Sequence, residues 1–158
     1  MTLDELLVRE SILHTIASYT MAGDRLRVDE FVAVFTEDGI FEIDASGEDA
    51  VRNVGRDAIR NWLLRWGQGA KDAKPVHQAR FIRHHLSTCL IEMTGPDTAK
   101  ARTYWTAYTD IGPDHGGYYL DRFRKIGDQW LIAHRKIRHD WSAPNSRYLS
   151  ALVNLRQR

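Results

Sequence analysis

The sequence has little of several features that mark specialised proteins. Its 158 residues include one cysteine, Cys89, which excludes an intrachain disulfide and a metal site built from several thiolates. Lys and Arg number 22 against 21 Asp and Glu, so no excess of one charge attracts nucleic acid or an anionic membrane. No apolar run approaches the roughly 20 residues that span a bilayer, and no signal peptide is visible at the N-terminus. We therefore expect a cytoplasmic protein without nucleic-acid or membrane partners.

What is present is typical of one globular domain, which we expect to cover residues 1–158. Apolar residues make up 43% of the chain and charged residues 27%, enough for a core and a hydrated surface. Apolar residues at helical spacing predict three helices, over residues 3–23, 29–35 and 57–66. Alternating and β-branched patterns predict six strands, over residues 40–44, 51–54, 80–94, 98–111, 118–126 and 129–139.

The order of these elements indicates an α+β fold, because helices come first and long hairpin-connected strands follow. Long strands in a meander curl, so we expect a cone-shaped, curved antiparallel sheet covered by the N-terminal helices. Such a half-barrel would hold a small-molecule pocket in its mouth. The Gly- and Pro-rich residues 112–117 are interpreted as a loop, and the tail after residue 144 as a short amphipathic helix.

Two adjacent histidines, His84 and His85, lie inside the strand predicted over residues 80–94. Neighbouring side chains on a strand point to opposite faces, so one of the two rings faces the interior of the sheet. An inward imidazole is costly unless it is hydrogen-bonded. It is also the side chain whose unperturbed pKa lies nearest neutrality. A core histidine bonded to a backbone carbonyl and a proton-transfer residue are both consistent with this pattern.

Six short motifs occur along the chain in a particular order. They are Ala-Gly-Asp at 22–24, Phe-Thr-Glu-Asp-Gly-Ile-Phe at 35–41, Gly-Arg-Asp-Ala-Ile at 55–59, Arg-His-His-Leu-Ser-Thr at 83–88, Tyr-Leu-Asp-Arg-Phe-Arg at 119–124 and Trp-Leu-Ile-Ala-His-Arg at 130–135. In this order the chain resembles the NTF2-like superfamily. Within it, the chain resembles the SnoaL-like group that includes scytalone dehydratase, LinA-type dehydrochlorinase and bile acid 7α-dehydratase. The superfamily also contains isomerases, polyketide cyclases, dioxygenase β-subunits and non-catalytic members, so the fold alone does not settle function.

The resemblance implies an Asp–His pair, in which an aspartate after the first helix meets a histidine of the first long strand. Asp24 and His84 match those two positions, and His85 then lies on the opposite face. Arg135 matches an arginine on the last strand of the dehydrochlorinase, where it could stabilise a developing anion or leaving group. The alternative for Arg135 is a salt bridge to Asp121 on the neighbouring strand.

Aromatic side chains are the candidate substrate-binding residues. The relatives also use tyrosines, and Gly23 stands where some have a tyrosine before the aspartate, so another tyrosine would have to reach the pocket. Core packing is the alternative for each candidate. The tryptophans at positions 62 and 66, four apart on a predicted helix, are interpreted as packing residues. The candidates are Tyr19, Phe41, Trp105, Tyr108 and Tyr119.

The chemistry of an aspartate-oriented histidine favours proton abstraction from a carbon acid. The sequence contains no Gly-x-Ser-x-Gly motif, which would favour acyl transfer. It also contains no His-x-x-x-His pair, which would favour a metal site. We therefore expect no cofactor and no metal. The favoured function is a cofactor-independent lyase, such as a dehydratase, acting on a cyclic, largely apolar small molecule. The alternatives are an isomerase or polyketide-cyclase-like enzyme using the same pair, or a non-catalytic ligand-binding or dioxygenase β-subunit-like accessory domain. The resemblance also implies a homo-oligomer, a dimer or trimer formed through the sheet.

Overall fold

Helices pack against one face of a curved sheet in the computed structural model, which describes residues 2–44, 51–72 and 79–148. The buried core joins apolar side chains of the helices to those of the sheet. None of the described helices combines the length and the hydropathy needed to cross a membrane. The described elements are α1 (Leu3–Gly23), α2 (Val28–Ala33), β1 (Phe35–Asp44), β2 (Val51–Val54), α3 (Arg56–Asp72), β3 (Arg83–Gly95), β4 (Thr98–Thr109), β5 (Gly112–Ile126) and β6 (Gln129–Ser142).

The six described strands form one sheet in the order β2-β1-β6-β5-β4-β3. Neighbouring strands run antiparallel except β1 and β6, which are parallel. The sheet is curved but does not close, since β2 and β3 remain at its two edges. The predicted α+β class and the curved half-barrel are therefore confirmed, with one parallel pair in an otherwise antiparallel sheet.

Helix α1 begins and ends where its sequence predicts, and its end fixes the position of Asp24. At its start Thr2 and Glu5 form a capping box: the Thr2 hydroxyl accepts from the Glu5 N–H at 3.2 Å, and the Glu5 carboxylate accepts from the Thr2 N–H at 2.8 Å. At its end Asp24 is the C-cap, and its N–H donates to the carbonyl of Thr20 at 3.0 Å. The Asp24 carboxylate thus projects from the helix terminus towards the sheet.

Two predicted boundaries near glycines are wrong, because those glycines serve close packing. Helix α3 continues to Asp72 instead of ending at residue 66. A Cβ on Gly67 would lie 3.2 Å from the Leu26 side chain, so this glycine admits a neighbour rather than ending the helix. The first strand, predicted to begin at residue 40, begins at Phe35, so Gly39 lies inside β1, where a Cβ would come 2.9 Å from the carbonyl oxygen of Thr36.

The loop predicted over residues 112–117 is also wrong, because β5 begins at Gly112. Its glycines allow β6 to approach closely: a Cβ on Gly117 would lie 1.9 Å from the carbonyl oxygen of Arg138. Residues 144–148 form turns. The rest of the predicted tail helix, with Leu149, Leu152, Val153 and Leu155, lies outside the described residues.

Candidate active site

The structure brings Asp24 and His84 together although 60 positions separate them in the chain. One carboxylate oxygen, Oδ1, lies 2.6 Å from Nδ1 of His84, and the other accepts from the His84 backbone N–H at 3.0 Å. A carboxylate can only accept, so it holds the ring proton on Nδ1 and leaves Nε2 as the unprotonated nitrogen of a neutral imidazole. His85 is exposed on the other face, with its ring 4.5 Å from that of Tyr108.

A cavity of about 260 Å³ opens beside His84, slightly smaller than most small-molecule sites. Tyr108 does not line the cavity, because it lies three residues from the inward Trp105 and an odd separation on a strand reverses the face. The other four predicted substrate-binding residues do line it: Tyr19, Phe41, Trp105 and Tyr119.

Helix α3 and the C-terminal turns supply walls of the cavity that the sequence did not indicate. Trp62 and Trp66 line the cavity, although their spacing was interpreted as simple packing. The Trp62 ring lies 4.5 Å from that of Phe41, and Trp66 stacks on Tyr148 at 6.1 Å. Tyr148 therefore covers one side of the cavity, next to α3.

His115 faces the same cavity, a position that the sequence analysis missed. His84 on β3 and His115 on β5 both pair with Ala107 of β4, so all three side chains share one face of the sheet. The small alanine leaves room between the two rings, whose centroids are 6.4 Å apart. His139 of β6 also lines the cavity, 5.9 Å from His115.

Asp114 forms a second Asp–His pair with the neighbouring His115. Its Oδ1 lies 2.8 Å from Nδ1 of His115, and the carboxylate is fully buried. Thr109 donates to it at 2.9 Å, as does the backbone N–H of Arg147, and the Ser146 hydroxyl also donates. Burial alone would raise the pKa of Asp114, but these hydrogen bonds hold it below its ordinary value. The interpretation of residues 112–117 as a loop concealed this pair, although the Asp-His dipeptide was visible in the sequence.

Burial keeps the two additional histidines neutral near pH 7. Burial lowers the pKa of His115 despite the opposing charge of Asp114. Burial, reinforced by the neighbouring rings of His115 and His84, lowers the pKa of His139 to about 3. Each ring therefore presents an uncharged polar edge at neutral pH.

Arg135 does not line the cavity but lies behind two of its tyrosines. It is fully buried, and its Nε and Nη2 donate to the Asp121 carboxylate at 2.8 and 2.6 Å. The salt bridge given as the alternative for Arg135 is therefore the contact that the structure shows. The guanidinium carbon lies 4.0 Å from the ring centroid of Tyr19 and 4.2 Å from that of Tyr119. Burial raises the pKa of Tyr19 to about 12 and that of Tyr119 well above its ordinary value, so both hydroxyls stay protonated.

The described side chains around the cavity include neither a metal-binding group nor a cation for an anionic cofactor. Across residues 2–44, 51–72 and 79–148, no three His, Cys, Asp or Glu side chains are grouped so that they could hold a metal ion. The described lining also contains no Lys or Arg. A phosphate or carboxylate group would therefore find no cationic partner there.

A curved, unclosed α+β sheet with a cavity on its helix-covered side is the architecture of the NTF2-like class. The chain belongs to the SnoaL-like domain family, whose model matches residues 4–136. The resemblance inferred from the sequence motifs is thereby confirmed. None of the curated proteins matches the chain.

Solved structures share the fold at low sequence identity. A provisionally assigned scytalone dehydratase from Novosphingobium aromaticivorans is 24% identical with a TM-score of 0.71, over 90% of this chain and 91% of that one. LinA-type3 hexachlorocyclohexane dehydrochlorinase from Novosphingobium barchaimii is 12% identical with a TM-score of 0.71, over 90% and 92%. The β subunit of a provisionally assigned aromatic-ring-hydroxylating dioxygenase from N. aromaticivorans is 16% identical with a TM-score of 0.69, over 88% and 93%. At these identities the likeness shows the fold.

Proposed function

We propose that the protein is a cofactor-independent lyase, dehydratase-like in its reaction, that acts on a cyclic, largely apolar small molecule. His84 is the general base and Asp24 orients it. The observation that carries the proposal is the 2.6 Å contact between Asp24 Oδ1 and His84 Nδ1, beside a cavity that His84 lines. A core histidine would need no such cavity, and a proton-transfer residue requires one.

The proposed reaction begins at Nε2 of His84, which takes a proton from a carbon next to a carbonyl or similar activating group. Asp24 stabilises the imidazolium that results. The electrons of the broken C–H bond form a C=C bond as the leaving group departs from the adjacent carbon. When that group is hydroxide, the imidazolium returns the proton to it and water is released. General-base catalysis of this kind contributes about 10²–10⁴-fold to the rate.

Two tyrosines supply the donors that this reaction needs. Tyr19 and Tyr119 line the cavity, and their hydroxyls remain protonated at neutral pH. A protonated hydroxyl can donate to the oxygen on which negative charge develops. Arg135 contacts both tyrosine rings and so acts as a positioning residue. This arrangement fills the tyrosine role that Gly23 leaves open in the sequence.

The experiment that tests the proposal compares two reactions of simple cyclic ketones. Exchange of the α-protons of cyclohexanone in D₂O, followed by ¹H NMR, reports proton abstraction. Conversion of 3-hydroxycyclohexanone to cyclohexenone, followed by ultraviolet absorbance, reports elimination. His84→Ala is expected to slow both by about 10²–10⁴-fold. His85→Ala is the matched control and should leave both rates unchanged, because its ring lies on the outer face.

Each alternative function has its own outcome in this experiment. Exchange without elimination supports the hypothesis that the same Asp–His pair serves an isomerase or a cyclase. If the wild type catalyses neither reaction, on these or on larger cyclic ketones, that result supports a non-catalytic ligand-binding or accessory domain. Exchange that survives His84→Ala removes His84 from the role of base.

Three expectations from the sequence stay predictions: a single domain over residues 1–158, a cytoplasmic location and a dimer or trimer formed through the sheet. Light scattering on the purified chain measures the oligomeric state. Limited proteolysis tests the single domain, because one domain would yield one resistant fragment. Cell fractionation tests the location.

A further inference from the structure

A second aspartate-oriented imidazole faces the proposed catalytic base. The carboxylate of Asp114 accepts hydrogen bonds from Thr109, Ser146 and the backbone of Arg147, so it has no proton to give to His115. The proton between Asp114 and His115 therefore lies on Nδ1 of the ring, 2.8 Å from Oδ1. Nε2 of His115 is consequently an unprotonated acceptor.

This acceptor needs a donor from a ligand. His115 is 6% exposed and lines the cavity, and no described residue donates to its Nε2. An acceptor in a nearly closed, largely aromatic cavity loses free energy when an apolar group displaces water from it. The tyrosine hydroxyls and the Trp105 N–H of the described lining make no hydrogen bond to His115, and no Lys or Arg is present there to attract an anionic ligand.

The position of His115 defines where that donor lies on the ligand. Its ring centroid is 6.4 Å from that of His84, across Ala107 of the intervening strand. A flat ring bound between the aromatic walls can place one edge at His84 and another at His115. Trp105, 5.6 Å from the His115 ring, limits how far such a ligand can move.

We propose that His115 is a specificity-determining residue whose Nε2 accepts a hydrogen bond from a substrate hydroxyl. The substrate class is then an uncharged cyclic molecule that carries an O–H apart from the carbon at which His84 acts. Asp114 is the positioning residue that fixes the tautomer of His115. This inference rests on the proposed function for the part assigned to His84. The recognition by His115 is a binding property that can be measured without turnover.

The test uses resorcinol, which has two ring hydroxyls, and 1,3-dimethoxybenzene, which has none. Dissociation constants for both are measured by titration calorimetry on wild type, His115→Phe and His85→Phe. One hydrogen bond contributes about tenfold in affinity, so the preference for resorcinol should fall about tenfold in His115→Phe. His85→Phe makes the same substitution on the outer face and should keep the wild-type preference.

A second measurement observes the acceptor directly and needs no variant that might misfold. With the histidine rings labelled with ¹⁵N, NMR should show Nε2 of His115 unprotonated at pH 7, and its resonance should shift with resorcinol but not with the diether. A proton on Nε2 in the free protein, failure of resorcinol to bind, or a response confined to His84 overturns the proposal. So does an unchanged preference in a folded His115→Phe.

The two proposals fail in different measurements. If the protein catalyses neither elimination nor exchange but His115 responds normally to resorcinol, the proposed lyase function is refuted and the binding role of His115 stands. If catalysis is normal and sensitive to His84→Ala but His115 does not respond to resorcinol, only the proposed binding role of His115 is refuted.

Discussion

Replacing Arg135 by methionine would leave a carboxylate without its partner in the core. Asp121 and Arg135 are both fully buried, and their side chains meet through two hydrogen bonds. No other described residue donates to the Asp121 carboxylate. Methionine keeps much of the length that packs between the rings of Tyr19 and Tyr119 but supplies no donor.

The expected loss of stability comes mainly from that unpaired carboxylate. Breaking a buried ion pair by removing one partner costs about 3–5 kcal/mol. For a protein of this size that corresponds to a fall in Tm of about 6–20 °C. The double variant Arg135→Met/Asp121→Leu removes both charges, and replacing a whole buried pair by apolar groups is often neutral or stabilising. It should therefore regain most of the loss.

Urea unfolding followed by circular dichroism measures both variants against the wild type. The single variant is expected to lose at least about 3 kcal/mol, and the double variant to recover most of that loss. A single variant within about 1 kcal/mol of the wild type would refute the view that this pair is buried and mutually dependent. A double variant no more stable than the single one would also refute it, since the penalty would then not lie in the unpaired charge.

Three further changes have distinct expected results. Asp24→Asn should slow exchange of cyclohexanone nearly as much as loss of His84, because the amide cannot stabilise an imidazolium; a near-wild-type rate in the ¹H NMR assay contradicts this. The pKa of His139 is about 3 when folded and 6.5 when unfolded, so only the unfolded chain gains the proton as pH falls between them. Stability should then drop by up to about 1.4 kcal/mol per pH unit below 6.5, and parallel curves of urea midpoint against pH for wild type and His139→Phe would rule this out. Gly117→Ala should cost about 3 kcal/mol or more, because its Cβ would meet a strand carbonyl at 1.9 Å, whereas Gly127→Asn, at φ +60 in open space, should cost little in thermal unfolding.

Local patterns predicted most of the elements but not how glycine is used within them. The start and end of α1 follow from its capping residues and from the glycine at position 23, which are readable in the chain itself. Gly67 and residues 112–117 looked like terminators, yet they lie in α3 and β5. Whether a glycine ends an element or admits a close neighbour depends on what packs there. That information is absent from the local sequence.

The site was predicted as far as the resemblance carried it. The contact between Asp24 and His84 was expected from the family positions, and no periodicity alone would have joined them. For Arg135 the sequence left two roles open, a stabiliser in the site and a salt bridge to Asp121; the structure shows the salt bridge, which depends on the register between β5 and β6. His115 was missed since its alignment with His84 depends on how three strands pair.

The two oxygens of Asp24 bind different parts of His84. A mutation of the histidine and a mutation of the aspartate therefore remove different contacts. One oxygen binds the ring, and the other binds the backbone N–H of the residue, which every amino acid except proline retains. Through that second bond the aspartate ties the end of α1 to β3, an edge strand of the open sheet. A descendant of this protein could exchange His84 and lose the proposed catalysis while keeping the contact between α1 and β3, whereas exchange of Asp24 would lose both at once. If the proposed reaction holds, lineages that abandon it are therefore expected to lose the histidine before the aspartate.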